Sequence, residues 1–179
     1  MKEIILTQNK VTLVDDEDYE YLNHWKWYAY KYKKGTTYYA GRNTSRKLGS
    51  QKRIPMHNQL LGYQDNNIID HKDGNGLNNQ KTNIRFCTFS QNSRNKKGFS
   101  SSNYKGVYKK LNRPNRIKCY EASIYFNNKS HYLGSFKTPQ EAAIAYNKAA
   151  ILNFGEFARL NNINIFGTSS LIKTDIKRL

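Results

Sequence analysis

Residues 67–95, NIIDHKDGNGLNNQKTNIRFCTFSQNSRN, decide how this chain is read. The β-branched pair Ile68-Ile69 runs into Asp70-His71 as a short strand, and Asp73-Gly74-Asn75-Gly76 is strong turn chemistry. Ile84-Arg85-Phe86 then reads as a second strand. Thr88-Phe89-Ser90-Gln91 fits the Thr-x-x-Gln capping box, which starts a helix predicted to run to about Lys97 with Gly98 as its stop. The local order is strand, turn, strand, helix.

Charge makes the same stretch stand out. The chain has 179 residues, 30 Lys and Arg against 13 acids, a net charge of +17, and 13% aromatic residues. Its mean hydropathy is -0.87 and its pI about 9.8. A basic, aromatic-rich chain of this size points to nucleic acid and excludes the large enzyme barrels. Residues 1–20 carry a net charge of -4 and the remainder +21. From Tyr21 to Tyr120 there are 21 basic residues and three acids, Asp65, Asp70 and Asp73, which fall within nine positions of one another. A carboxylate in such a stretch repels phosphate unless it makes a turn or holds a cation. Asp65 and Asp73 suit turns; Asp70, in the strand, does not.

Working outward, Ile4–Leu6 and Val11–Val14 flank a turn at Gln8-Asn9-Lys10, and the acids at 15–20 suit the first turn of a helix reaching Leu22 and Trp25. Trp27–Lys33 and Thr36–Arg42 alternate as a hairpin about Lys34-Gly35, with Trp25, Trp27, Tyr28 and Tyr30 expected to supply the core of this region. Residues 43–53 read as a polar loop, and a short helix from Pro55 to Gly62 contains His57. Downstream, residues 106–110, 120–126 and 130–136 read as three strands, and Thr138-Pro139-Gln140-Glu141 opens an Ala-rich helix that Gly155 ends. Cys87 and Cys119, 32 residues apart, offer neither a disulfide framework nor a zinc ribbon. No apolar run approaches a membrane span or a secretory leader, so the expectation is an intracellular protein, not secreted and without membrane contact.

Residues 54–95, with Asp70-His71, the Gly-rich turn, Asn78-Asn79, Asn83-Ile84-Arg85, Thr88 and Gln91-Asn92, resemble the HNH endonucleases and their ββα-metal motif. The resemblance implies a homing-type DNA endonuclease in which His71 is the general base and Asp70 and Asn92 ligate a divalent ion. Asn83 would brace the loop and orient His71. Asn95, one turn along the same helix face, is a rival ligand, and His57 is expected to pack or to hydrogen-bond. Where many members place a third-letter His, this chain has Asn, an oxygen donor that favours Mg²⁺ or Mn²⁺ over zinc. The chemistry agrees: phosphodiester hydrolysis needs a deprotonated water and charge neutralisation at phosphate, and an imidazole with a pKa near 6.5 can take that proton.

Residues 104–161 resemble the AP-two DNA-binding domain of plant ethylene-response factors through Tyr104-Lys105-Gly106-Val107, Tyr120-Glu121-Ala122-Ser123-Ile124, Tyr132-Leu133-Gly134-Ser135-Phe136 and Glu141-Ala142-Ala143. The likeness implies a three-stranded sheet that reads duplex DNA, with Lys105, Tyr108, Lys110, Tyr125 and Tyr132 at contact positions. Arg113, Arg116 and Lys118 add charge in an insertion. Lys and Tyr in place of Arg predict softer base specificity and more phosphate contact.

The expected fold is therefore α+β: a ββα-metal nuclease module followed by a three-stranded antiparallel sheet packed on one helix. Its expected parts are a β-rich region at 1–53, the catalytic motif at 54–97, a linker at 98–103, the reader at 104–161 and a basic tail at 162–179. The expected function is metal-dependent nicking of double-stranded DNA by a monomer, one strand per site, with no small-molecule substrate. The resemblance implies a phage-borne or intron-encoded gene, and if it is phage-borne the compartment is the cytoplasm of a bacterial host. The alternatives are a DNA-binding transcriptional regulator with an inactive nuclease module and, on charge alone, an RNA-binding protein.

Overall fold

A computed structural model of the chain describes residues 1–33, 35–45, 49–98, 102–110 and 120–163. The chain divides into two compact units, Met1–Lys96 and Lys97–Leu179. Each is built from small antiparallel sheets and short helices, a mixed architecture compatible with α+β.

The first unit begins with a hairpin of β1 (Lys2–Leu6) and β2 (Lys10–Val14). Gln8 and Asn9 both take positive φ, 62° and 53°, the conformation that a tight hairpin turn demands. Helix α1 (Asp16–Asn23) follows with Asp16, Glu17 and Asp18 in its first turn, where the helix dipole favours negative charge. Strands β3 (Tyr28–Tyr30), β4 (Tyr39–Asn43) and β5 (Arg53–Pro55) form a sheet in that order. The hairpin arms are shorter than the alternation predicts, and β5 spans the junction between the stretch expected to be loop, which ends at Arg53, and the helix expected from Pro55. Its Arg53 and Ile54 pair with Asn43 and Arg42, so a three-residue segment too short to show a pattern completes a ladder. Helix α2 (Met56–Leu61) ends at Gly62, whose φ is 78°.

Ile4, Leu6, Val14, Leu22, Trp27, Ala29, Ala40 and Met56 make the core of this unit, drawn from the hairpin, α1, the sheet and α2. Trp27 and Tyr30 are buried, as the core reading requires, while Trp25 and Tyr28 are half-buried. Strands β6 (Ile68–His71) and β7 (Ile84–Cys87) pair antiparallel, and α3 (Phe89–Asn95) follows. The Thr88 hydroxyl accepts the Gln91 N–H and the Gln91 side chain accepts the Thr88 N–H, a complete capping box. The helix stops at Lys96, before Gly98, because Lys96 is already extended, with ψ 142°.

In the second unit β8 (Val107–Lys109), β9 (Tyr120–Phe126) and β10 (Lys129–Phe136) form a sheet with β9 in the centre. Asn127 and Asn128, at φ 49° and 58°, make the β9–β10 turn. Helix α4 (Pro139–Phe154) is capped by Thr138, whose hydroxyl accepts the Glu141 N–H, and a 3-10 turn (Gly155–Phe157) follows it. Ala142, Ala143 and Ala150 are fully buried, so the helix lies close on Val107, Ala122 and Ile124. Gly106, with φ +72°, sits so close to the Tyr146 ring that a Cβ there would come within 2.1 Å of it.

Gly106→Ala is expected to destabilise the second unit by roughly 3 kcal/mol or more, since it adds overpacking to backbone strain. Gly155→Ala, at φ +52° and ψ −128° with open space beside it, carries backbone strain alone and should cost about 1–3 kcal/mol. Urea unfolding followed by far-UV ellipticity measures both.

Candidate active site

In the β6–β7 ladder Asp70 faces Arg85 and His71 faces Ile84. Asp70 and His71 are both buried, at 6% and 5% exposure, in a chain whose acids are otherwise mostly at the surface. A buried carboxylate needs donors, and Asp70 has them. The Arg85 guanidinium donates to its Oδ2 from Nη2 at 3.1 Å, and the Asn95 amide reaches Oδ1 and Oδ2 at 3.1 and 3.0 Å. The same Asn95 Nδ2 donates to the His71 main-chain carbonyl at 2.9 Å. Asn95 is the buried residue of α3, whereas Asn92, three residues earlier, is half-buried. The helix residue seated at Asp70 is thus Asn95, because the last turn of α3 lies over the end of β6.

His71 has other neighbours. Its Nε2 is 3.2 Å from the Asn79 Oδ1, and Asn79 is fully buried. The Tyr39 ring lies 5.8 Å away and the His57 ring 5.1 Å away, nearly perpendicular at 89°. Burial pulls the His71 pKa below its ordinary value, against the opposing influence of the Asn79 hydrogen bond and of Asp73 and Asp70. Burial, with the charge of His71 adding to it, pulls His57 down to about 3. Two adjacent imidazoles are therefore held neutral, the form in which one can accept a proton.

Asn83 serves the turn. Its Oδ1 accepts the Asp73 N–H at 3.1 Å, and its Nδ2 donates to Asp73 Oδ1 at 3.1 Å and to the Asn78 carbonyl at 2.8 Å. Asp73 also accepts from the Asn75 N–H and the Asn78 amide, so this acid is a turn residue, as the sequence suggests. The bond on His71 comes from Asn79, to which the sequence reading assigned no separate role. The dipeptide Asn78-Asn79 is visible in the sequence, but which of the two amides turns inward is not.

The acidic segment is also at work here. Asp15 accepts the Lys81 N–H at 2.8 Å and the Gln80 amide at 3.2 Å, and the Lys81 ammonium reaches Glu17 and Asp18 at 2.8 Å each. These bonds push the Lys81 pKa above its ordinary value and secure the end of the Gly-rich loop to α1.

No group of three or more His, Cys, Asp or Glu placed to hold a metal occurs among the described residues. The oxygens at hand are the Asp70 carboxylate and the His71 carbonyl, to both of which the Asn95 amide turns its Nδ2. Such hard donors suit an ion of the Mg²⁺ type, which needs only one or two protein oxygens and keeps several waters. Cys87, buried and pushed up to about 11 by desolvation, stays a thiol; Cys119 lies outside the described residues.

In the second unit Tyr108, Tyr125 and Tyr132 are 54%, 66% and 63% exposed. They alternate along their strands with Val107, Ile124 and Leu133, which face α4, so they stand on the sheet face away from the helix. The Lys110 ammonium is paired with Glu121, and the Tyr132 hydroxyl is hydrogen-bonded to Ser135 at 2.6 Å. Lys105 is half-buried; burial, with Arg159 adding to it, pulls its pKa down to about 8. Arg113, Arg116 and Lys118 lie outside the described residues.

A protein of Acanthamoeba polyphaga mimivirus, named an uncharacterized HNH endonuclease, is 43% identical to this chain over 96 residues, 54% of this chain. The match covers 48% of that protein, so the chain spans about half the length of the curated relative it matches. No protein-family model and no solved structure matches the chain.

Asn95→Ala strips hydrogen bonds from a buried carboxylate and should cost about 1–3 kcal/mol, while Asn92→Ala should stay within about 0.5 kcal/mol; urea denaturation compares them. The depressed Lys105 amine gives a pH signature. Between about 8 and the ordinary 10.5 the unfolded chain binds more protons than the folded one, so stability rises with pH in that window. Lys105→Met should remove that rise in a melting series from pH 7.5 to 10.

Proposed function

We propose that this protein is a divalent-metal-dependent, homing-type DNA endonuclease that hydrolyses phosphodiester bonds and nicks one strand per site. The observation that carries the reading is the pairing of a buried, neutral His71 with a buried Asp70 carboxylate that a side-chain amide of α3 reaches. His71 accepts the proton of the attacking water, which its depressed pKa allows at neutral pH. Asp70 with Asn92 or Asn95 holds the ion. When bound, that Mg²⁺ or Mn²⁺ supplies positive charge to the phosphoryl oxygens and the leaving oxygen. Asn83 keeps the Gly-rich turn in the shape that carries His71, and the surrounding rings of Tyr39 and His57 keep bulk water from the imidazole.

The second unit supplies the DNA reader. Its AP-two-like sheet presents Tyr108, Tyr125 and Tyr132 for stacking and phosphate contact, with Lys105, Lys110, Arg113, Arg116 and Lys118 contributing charge. Double-stranded DNA is the partner, and a monomer suffices for a nick. Among the described residues no helix is long and apolar enough to cross a membrane.

One observation favours a second reading, a DNA-binding regulator with an inactive nuclease module. Both Asp70 oxygens already accept N–H donors, and Arg85 neutralises the carboxylate as a structural ion pair would.

Supercoiled plasmid incubated with Mg²⁺ separates the two. Relaxed circles should form, disappear with EDTA, and fall at least about a hundredfold in His71→Ala, the order that loss of a general base produces. Binding without relaxation under varied metals and targets establishes the regulator instead. The Mg²⁺ concentration for half-maximal nicking should rise in whichever of Asn92→Ala and Asn95→Ala removes the ligand.

A further inference from the structure

Thr12 lies 59 residues before His71 in the chain, yet one amide separates the two side chains. Its Oγ1 donates to the Leu77 carbonyl at 2.7 Å and accepts from Asn79 Nδ2 at 2.8 Å, and the other end of that amide meets His71 Nε2 at 3.2 Å. Thr12 and Asn79 are both fully buried, so the contacts are shielded from bulk solvent. The flanking backbone is pinned as well: the Leu13 N–H donates to the Leu77 carbonyl and the Asn79 N–H to the Leu13 carbonyl, each at 2.8 Å.

We propose that Thr12 is a positioning residue that sets the orientation of the Asn79 amide and, through it, the tautomer of His71. Two oxygens at 2.7 Å need a proton between them, and the Leu77 carbonyl has none to give. The Met56 sulfur, 3.9 Å from the same oxygen, is a much weaker acceptor, so the single Thr12 hydroxyl proton is committed to Leu77 and what Thr12 presents to Asn79 is a lone pair. An amide oxygen facing that lone pair would be repelled, so Nδ2 faces Thr12 and Oδ1 faces His71. Oδ1 carries no proton either. The contact with His71 is a hydrogen bond only when Nε2 bears the proton, which leaves Nδ1 with the free lone pair. The amino-terminal hairpin is thereby part of the site: one hydroxyl on β2 decides which imidazole nitrogen is able to act as base.

This inference rests on the reading of His71 as general base, but its central claim is readable without catalysis. The chain has four histidines, so long-range ¹H–¹⁵N correlation of the full-length, ¹⁵N-His-labelled protein resolves each ring, with His71→Gln identifying the signal. The wild type should show His71 as the Nε2–H tautomer. Thr12→Ser, which keeps the hydroxyl, should retain that pattern and nick plasmid within about twofold of wild type. Thr12→Val, which keeps the shape and loses the hydroxyl, should shift His71 toward the other tautomer. Its kcat should fall about tenfold with KM little changed, the scale typical of groups that orient a functional residue. An Nδ1–H tautomer in the wild type overturns the proposal, as does a folded Thr12→Val protein with unaltered His71 signals and kcat. Should Thr12→Val fail to fold, the wild-type tautomer decides alone. A wild-type Nε2–H signal in a protein that nicks no DNA overturns the general-base reading and leaves the Thr12 relay standing.

Discussion

A carboxylate removed from water is tolerable only where donors replace its hydration, and in the first unit the arrangement of β6, β7 and α3 follows from that requirement at Asp70. Arg85 comes from the paired strand and Asn95 from the helix, so the ion pair and its amide bonds hold all three elements together. The Asn95 bond to the His71 carbonyl extends the hold to the next residue. Removing a partner from such a group leaves an uncompensated buried charge, which is a far larger cost than the pair's own net contribution. In the proposed nuclease the same donors compete with the ion for Asp70, so one carboxylate carries both the packing of these elements and the proposed metal site.

The amino-terminal region is bound into this arrangement instead of merely preceding it. Three of its acids, Asp15, Glu17 and Asp18, are bonded to Gln80 and Lys81. Strand β2 lies along residues 77–79 through two main-chain bonds and a bridge between Leu13 and Asn78. A Gly-rich turn would otherwise be among the softest parts of a small domain. Here it is fastened from within by Asn83 and from outside by β2 and α1. The second unit divides its residues differently: small side chains bring α4 down onto the sheet, and the freed outer face carries three exposed tyrosines.

Several features were legible from short-range chemistry. The Thr88–Gln91 box, Thr138 with Pro139, and the hairpin turn at Gln8-Asn9 involve residues no more than a few positions apart, and local sterics and hydrogen bonds settle them. The mixed α+β character followed from the same signals. Strand β5 escaped notice because Arg53-Ile54-Pro55 has little pattern of its own and becomes a strand only by pairing with β4. The end of α3 at Lys96, before the glycine expected to stop it, is likewise set by the backbone that follows.

The sequence by itself determined which residues with reactive side chains stand near each other along the chain: Asp70 beside His71, amides at 78, 79, 83, 92 and 95, and a turn to bring two strands together. Only the tertiary structure decided what each amide does. Asn95 faces Asp70, Asn83 binds the turn, and Asn79 faces His71 with Thr12 behind it. Asparagines are interchangeable to any pattern built on residue type. They are told apart by which buried donor or acceptor lies within about 3 Å, and those partners arrive from strands and helices far away in the chain.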